Sequence, residues 1–190
     1  MMWIALSSFI AFFLVLILVQ SKRMQSVDAS LAKQVIAQRR DGWTSIFLFF
    51  TKLGKAVPTI LICLLLVLFP TTRTAIALNV GINVMATTGL TYIIKRIFKR
   101  ERPKGDRLVE ELDHSFPSGH SSTAAALYLG IFLNSFLYLS ISWWWIIPAL
   151  LICFLIGFSR VYLGVHYFTD VLGGWLLGTG IVFLIPLIVS

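Results

Sequence analysis

Hydrophobic residues run together in six stretches: Met2–Val19, Ala56–Pro70, Thr74–Ile94, Gly119–Leu137, Ile141–Phe158 and Phe168–Val189. A helix needs about 20 apolar residues to cross the hydrocarbon of a bilayer, so the pattern predicts six spans with short connections. The second stretch is short, about 22 Å at 1.5 Å per residue. It is expected either to borrow residues from Ile46–Phe50 or to pack inside the bundle. The first stretch lacks a basic leading region, exceeds a signal-peptide core in length and is followed by no small-residue cleavage site, so it reads as a span.

Between the first two spans, Val27, Leu31, Val35 and Ile36 recur at helical spacing within Ser26–Arg40, with Asp28, Lys33, Arg39 and Arg40 as the polar remainder. This predicts an amphipathic helix lying in the membrane interface, ended by Gly42 and anchored by Trp43. The expected fold is therefore all-α and polytopic, six transmembrane helices plus one interfacial amphipathic helix, with residues 1–190 forming a single domain.

Composition agrees with that pattern. Of 190 residues 58% are hydrophobic and 13% charged, with a mean hydropathy of +0.89, which excludes a disordered or nucleic-acid-binding chain. Cys63 and Cys153 sit inside apolar runs and read as buried thiols; neither a disulfide framework nor a cysteine-based zinc spacing is present.

The net charge of +8 is distributed unevenly. If spans alternate, residues 20–55, 95–118 and 159–167 share one face, which carries every Lys and Arg but Arg73 and gathers the acidic residues as well. Three segments on that face hold the chemistry. In the first, Lys95, Lys99 and Arg102 would share one side of a continuing helix before Pro103 ends it, and such cations suit a phosphate. In the second, Pro117 stops the chain, Ser118 is an N-cap candidate, and Gly119 lets backbone amides approach a ligand at a helix N-terminus that also carries His120. In the third, Arg160 is followed by His166 and Asp170 at i, i+4, where the carboxylate would accept a hydrogen bond from one imidazole nitrogen and leave the other free to attack.

Lys-x6-Arg-Pro at 95–103, Pro-Ser-Gly-His at 117–120 and Ser-Arg-x5-His-x3-Asp at 159–170, in this order, resemble the three signature motifs of the type 2 phosphatidic acid phosphatase superfamily, with no departure. In size the chain is similar to the bacterial branch, with its phosphatidylglycerophosphate and undecaprenyl pyrophosphate phosphatases. The resemblance implies a metal-free, cofactor-free, two-step phosphoryl transfer on a lipid phosphate. It makes His166 the nucleophile, Asp170 its orienting partner and His120 the general acid, and it assigns the phosphoryl oxygens to Lys95, Arg102, Ser118, Gly119 and Arg160. It further implies an active site on the extracytoplasmic face of the cell membrane. The positive-inside rule, counting fifteen cations against Arg73, points to the cytoplasm instead.

Two other classes use the same residues: a lipid-phosphate carrier, which needs the cations but no nucleophile, and a haloperoxidase-like oxidative enzyme, whose relatives are soluble. Among weaker signals, Glu101, Asp106, Glu110 and Glu111 form an acidic run open to a divalent ion or simply hydrated, and His114 with Asp113, close to the second motif, reads either as a contact to substrate or, the favoured reading, as a solvated loop position. Gly174-x3-Gly178 is a helix-packing pattern that would let the last span approach its neighbours and fix His166; Tyr162, Tyr167 and Trp143–Trp145 read as interfacial aromatics.

Overall fold

The computed structural model describes residues 1–189, whose regular elements are all helices, with no strand among the described residues. The helices are α1 (Met2–Gln20), α2 (Gln25–Ala37), α3 (Asp41–Leu53), α4 (Ala56–Leu68), α5 (Ala75–Phe98), α6 (Gly119–Leu139), α7 (Trp143–Tyr162) and α8 (Phe168–Leu184), followed by a short turn at Pro186–Val189. Among the described residues five helices are long and apolar enough to cross a membrane, and a sixth crossing results if α3 and α4, bent by 54° at their junction, act as one span. Helix α4 does not pack inside the bundle. Thr59 is its only buried residue and Ile60, Leu61, Leu64, Leu65 and Leu68 are exposed, so of the two expectations for the short second stretch, borrowing from α3 is the one the geometry allows.

Helix α8 is the hub. Its Leu177 and Ile181 pack with Phe12, Leu16 and Val19 of α1, while Val182 joins a second cluster with Ala125 and Leu129 of α6 and Cys153 and Ile156 of α7. The glycine pattern has a specific use here. A Cβ on Gly174 would stand 2.6 Å from the Ser118 carbonyl oxygen, and one on Gly178 would stand 2.6 Å from that of Ser122. Backbone thus meets backbone where α8 crosses the start of α6, the approach that small residues allow between membrane helices. Within α6 the turn Ala125–Leu129 widens to π geometry.

Helix α5 buries a file of polar side chains every fourth residue, Asn79, Asn83, Thr87, Thr91 and Lys95. Asn79 donates to Asn134 at 2.8 Å and Thr91 pairs with Ser122 at 3.0 Å, so polar contacts tie α5 to α6 along the route to Lys95.

Several local expectations are corrected. Gly42 does not end the amphipathic helix; it lies in the first turn of α3, and the break falls at Gln38–Arg40, where the Arg39 Nε donates to the Tyr162 carbonyl oxygen at 2.8 Å. Tyr162 is buried rather than interfacial, its hydroxyl accepting from the Arg40 amide at 3.0 Å, whereas Trp143, Trp144 and Trp145 are exposed. Cys153 is buried and Cys63 only half-buried; both are free. Asp28 is not part of a solvated face: with Ala32 it is buried, while Val27 and Leu31 point outward.

Candidate active site

The three charged segments converge at one end of the bundle, as their alternation along the chain predicts. Lys95 arrives on the last turn of α5, but the helix does not continue to Arg102: it stops at Phe98, Lys99 adopts a left-handed backbone (φ 45°), and Arg102 lies in the irregular segment that follows. Lys99 is consequently exposed and does not share a face with the other two. Lys95 and Arg102, both buried, meet at Asp113, whose carboxylate bridges them with one oxygen 2.8 Å from Lys95 Nζ and the other on the Arg102 guanidinium. Arg160, on α7 and 1% exposed, donates to Thr51 of α3 and to the Glu111 carboxylate. All three cations that the motifs supply are therefore held by carboxylates or carbonyls of the 101–115 loop.

His166 precedes α8, which begins at Phe168, so it and Asp170 do not lie on one helix. It is fully enclosed. Burial drives the imidazole well below its ordinary pKa of 6.5, and the neighbouring charges of Arg102, Arg160 and Lys95 push the same way, leaving the ring neutral at physiological pH. Arg102 Nη1 lies 3.1 Å from Nε2. On the other side of the ring, Nδ1 is 3.5 Å from Asp170 Oδ2, longer than a hydrogen bond, and the Ser115 hydroxyl stands between: it donates to Asp170 Oδ2 at 2.5 Å and lies 3.3 Å from Nδ1. The expected direct histidine–carboxylate bond is thus largely replaced by a bridge through Ser115. Asp170 itself is saturated, accepting the Tyr167 amide at 2.8 Å on Oδ2 and Arg100 Nη1 at 2.6 Å on Oδ1.

The second motif is placed as expected. Ser118 caps α6 by accepting from the Ser121 amide, its own amide donates to the Asp170 carbonyl oxygen at 2.9 Å, and the space where a Cβ on Gly119 would lie is open. His120 leans on Gly54 at the α3–α4 bend, and its Nε2 is buried with no hydrogen-bond partner among the described residues.

Reasoning from sequence missed Ser115, Arg100, Asp28 and Thr51, whose roles depend on contacts between distant segments. Asp113 and His114 are not a solvated appendage: the Asp113 carboxyl, despite partial burial acting the other way, is held down to about 2 by the hydrogen bonds and charges of Lys95 and Arg102, and the His114 carbonyl accepts from Lys95. The acidic run does not converge, since Glu111 is turned to Arg160, Glu101 is exposed beside Lys104, and no group of three or more His, Cys, Asp or Glu is arranged for a metal among the described residues. Chemically the cluster offers a neutral imidazole whose lone pair opens among three cations, a setting suited to attack on an anionic centre.

Known proteins are similar to this chain in sequence and in fold. Phosphatidylglycerophosphatase B of Bacillus subtilis is 33% identical over 97% of this chain and 94% of its own length. The undecaprenyl-diphosphatase of Sulfolobus acidocaldarius is 29% identical over 96% of this chain and 88% of its own. The fold superposes with a TM-score of 0.90 on the crystal structure of a transmembrane PAP2-type phosphatidylglycerolphosphate phosphatase from Bacillus subtilis, at 29% identity and covering 98% of this chain and 96% of that one. The family model of the PAP2 superfamily matches residues 74–190, the stretch that holds all three motifs and the cluster they build, and the chain belongs to that superfamily.

Proposed function

We propose that this chain, acting as one domain over residues 1–190, is a lipid phosphatase of the cell membrane that removes the terminal phosphate of a lipid phosphate or pyrophosphate. Phosphatidylglycerol phosphate, phosphatidic acid and undecaprenyl pyrophosphate are the substrate candidates. The observation that carries the reading is the neutral, enclosed His166 with Nε2 facing Arg102 among Lys95 and Arg160. A lipid-phosphate carrier would need the cations alone; the Asp170, Ser115 and Arg100 network behind the imidazole supports turnover.

In the first step His166 Nε2 attacks phosphorus and the bond to the leaving oxygen breaks, while His120 gives that oxygen its proton. In the second, His120 takes a proton from water, the water oxygen displaces the histidine, and inorganic phosphate departs. Lys95, Arg102 and Arg160 neutralise the phosphoryl oxygens, and Ser118 with the Gly119 amide adds hydrogen bonds; such transfer depends chiefly on positioning and charge stabilisation. The position of His120, with Nε2 free of protein partners, supports its part as the proton donor.

In this reading α1, the bent α3–α4 pair, α5, α6, α7 and α8 make six crossings, α2 lies in the interface, both termini are cytoplasmic and the site opens outward. The test is purified protein in mixed micelles offered each lipid in parallel, with and without chelator, and released phosphate measured. Release from at least one lipid in chelator, absent in His166→Ala, is expected. Equal release by His166→Ala, or release that depends on one divalent ion, overturns the mechanism.

A further inference from the structure

Asp28 is a carboxylate on a helix that the sequence places at the membrane surface, yet it is 1% exposed and accepts three hydrogen bonds. Its Oδ1 accepts the Thr169 amide at 3.2 Å, and its Oδ2 accepts the Thr169 hydroxyl at 2.5 Å and Arg100 Nη2 at 2.7 Å. Thr169 lies in the first turn of α8, so a side chain of α2 caps the helix that carries Asp170. The other arm of the same guanidinium, Arg100 Nη1, reaches Asp170 at 2.6 Å and the Thr169 hydroxyl at 2.7 Å.

We propose that Asp28 is a positioning residue for catalysis: through Arg100 and Thr169 it fixes Asp170, and through Asp170 and Ser115 it sets the orientation of His166. The charge arithmetic gives it a second effect. One guanidinium stands between two buried carboxylates, so Asp28 shares the positive charge that would otherwise be matched wholly to Asp170. Asp170 thereby keeps negative character on the Oδ2 side, where Ser115 and His166 Nδ1 lie, and where positive charge grows as the imidazole forms its bond to phosphorus. The docking of α2 is thus a condition of the chemistry, although no atom of α2 has to touch the substrate. This rests on the reading of His166 as nucleophile.

The experiment compares wild type, Asp28→Asn, Asp28→Glu, Arg100→Gln, the double variant Asp28→Asn with Arg100→Gln, and His166→Ala, all as full-length protein in mixed micelles. Asp28→Asn is expected to lower kcat by about 10- to 100-fold with KM little changed, the size typical of lost support behind a reacting side chain. Asp28→Glu should recover part of that loss, and the double variant should be little worse than Arg100→Gln alone, because two residues acting as one unit are not additive. A folded Asp28→Asn with kcat within about twofold of wild type, or losses that simply multiply, overturns the proposal. If Asp28→Asn does not fold, Arg100→Lys decides: it keeps the charge but cannot fork to both carboxylates, so a fall in kcat supports the proposal and an unchanged kcat overturns it. Activity in His166→Ala would instead overturn the underlying reading of the site, so the two failures are told apart.

Discussion

Arg102 Nη1 faces His166 Nε2 at 3.1 Å, and a guanidinium has protons to give and no lone pair to receive one. Nε2 must therefore present its lone pair, which leaves the proton on Nδ1, the side of Ser115 and Asp170. In nitrogen-15 NMR of histidine-labelled protein, the His166 signal, assigned by its loss in a variant, should be that of the neutral Nδ1–H tautomer. A protonated Nε2 would remove the attacking atom from the mechanism.

The same ring sets an expectation for pH. The nucleophile works when neutral, so activity that depends on it is lost as pH falls through its folded-state pKa, which burial and the nearby cations hold well below 6.5. The acid limb of kcat/KM set by His166 should accordingly lie below pH 6.5, the ordinary histidine value, when measured on a detergent-solubilised substrate. A limb above that value would mean that the ring is not shielded as the structure shows.

Removing the nucleophile and removing its support should differ in degree. His166→Ala is expected to lose at least about 10³-fold in kcat, and Asp170→Asn about 10²- to 10⁴-fold, with lipid binding retained in both. Binding is checked by quenching of the protein's tryptophan fluorescence on titration with a brominated lipid phosphate.

Asp113 occupies the two cations that a phosphoryl group would use, so substrate must displace it. Its side chain is about half exposed, which limits the strength of the pairing to that of a surface ion pair. Asp113→Asn should tighten inhibition by orthovanadate, a mimic of the pentacoordinate state, by about two- to fivefold. Weaker inhibition would show instead that the carboxylate holds Lys95 and Arg102 in place for the ligand.

Sidedness is tested by single cysteines, Asp106→Cys and Ser140→Cys, in a background lacking Cys63 and Cys153. In intact cells a membrane-impermeant maleimide should label position 106 and spare position 140. The reverse pattern would place the site in the cytoplasm, as the count of loop cations has it.

The backbone contacts of Gly174 and Gly178 predict a stability effect as well. A methyl group at Gly174 would press on the Ser118 carbonyl oxygen and the Ser121 side chain, so Gly174→Ala should cost about 1–3 kcal/mol and lower the melting temperature in detergent. Activity should fall with it, because Ser118 and His120 lie beside the contact.

What the sequence made legible was whatever has a short-range pattern. Apolar runs of membrane length marked α1 and α5 to α8 within a few residues, and motif spacing picked out Lys95, Arg102, Ser118, His120, Arg160, His166 and Asp170, all of which the fold brings to one end of the bundle. The buried role of Asp28 was invisible, because an acidic residue on an amphipathic helix has the same local pattern whether it faces water or another helix. Glu111 and Asp113 read as a hydrated loop for the same reason: their partners lie 49 residues away at Arg160, and at Lys95 and Arg102 across a turn that Lys99 makes by leaving the helix. The Ser115 bridge also escaped notice, since i, i+4 spacing implied a direct bond, whereas His166 Nδ1 and Asp170 Oδ2 stand 3.5 Å apart with the Ser115 hydroxyl against both.

The backbone contact between α6 and α8 has a bearing on the lipid surroundings in which the protein can work. Helices in a bilayer answer changes in hydrocarbon thickness by tilting, each against its neighbours. Two helices whose main chains already touch cannot slide or tilt apart without losing that contact, so His120 at the head of one and His166 just before the other move as one block. The looser outer helices, α4 above all with its single buried residue, are left to take up the mismatch, and the separation of the two histidines should be the same in thin and thick membranes.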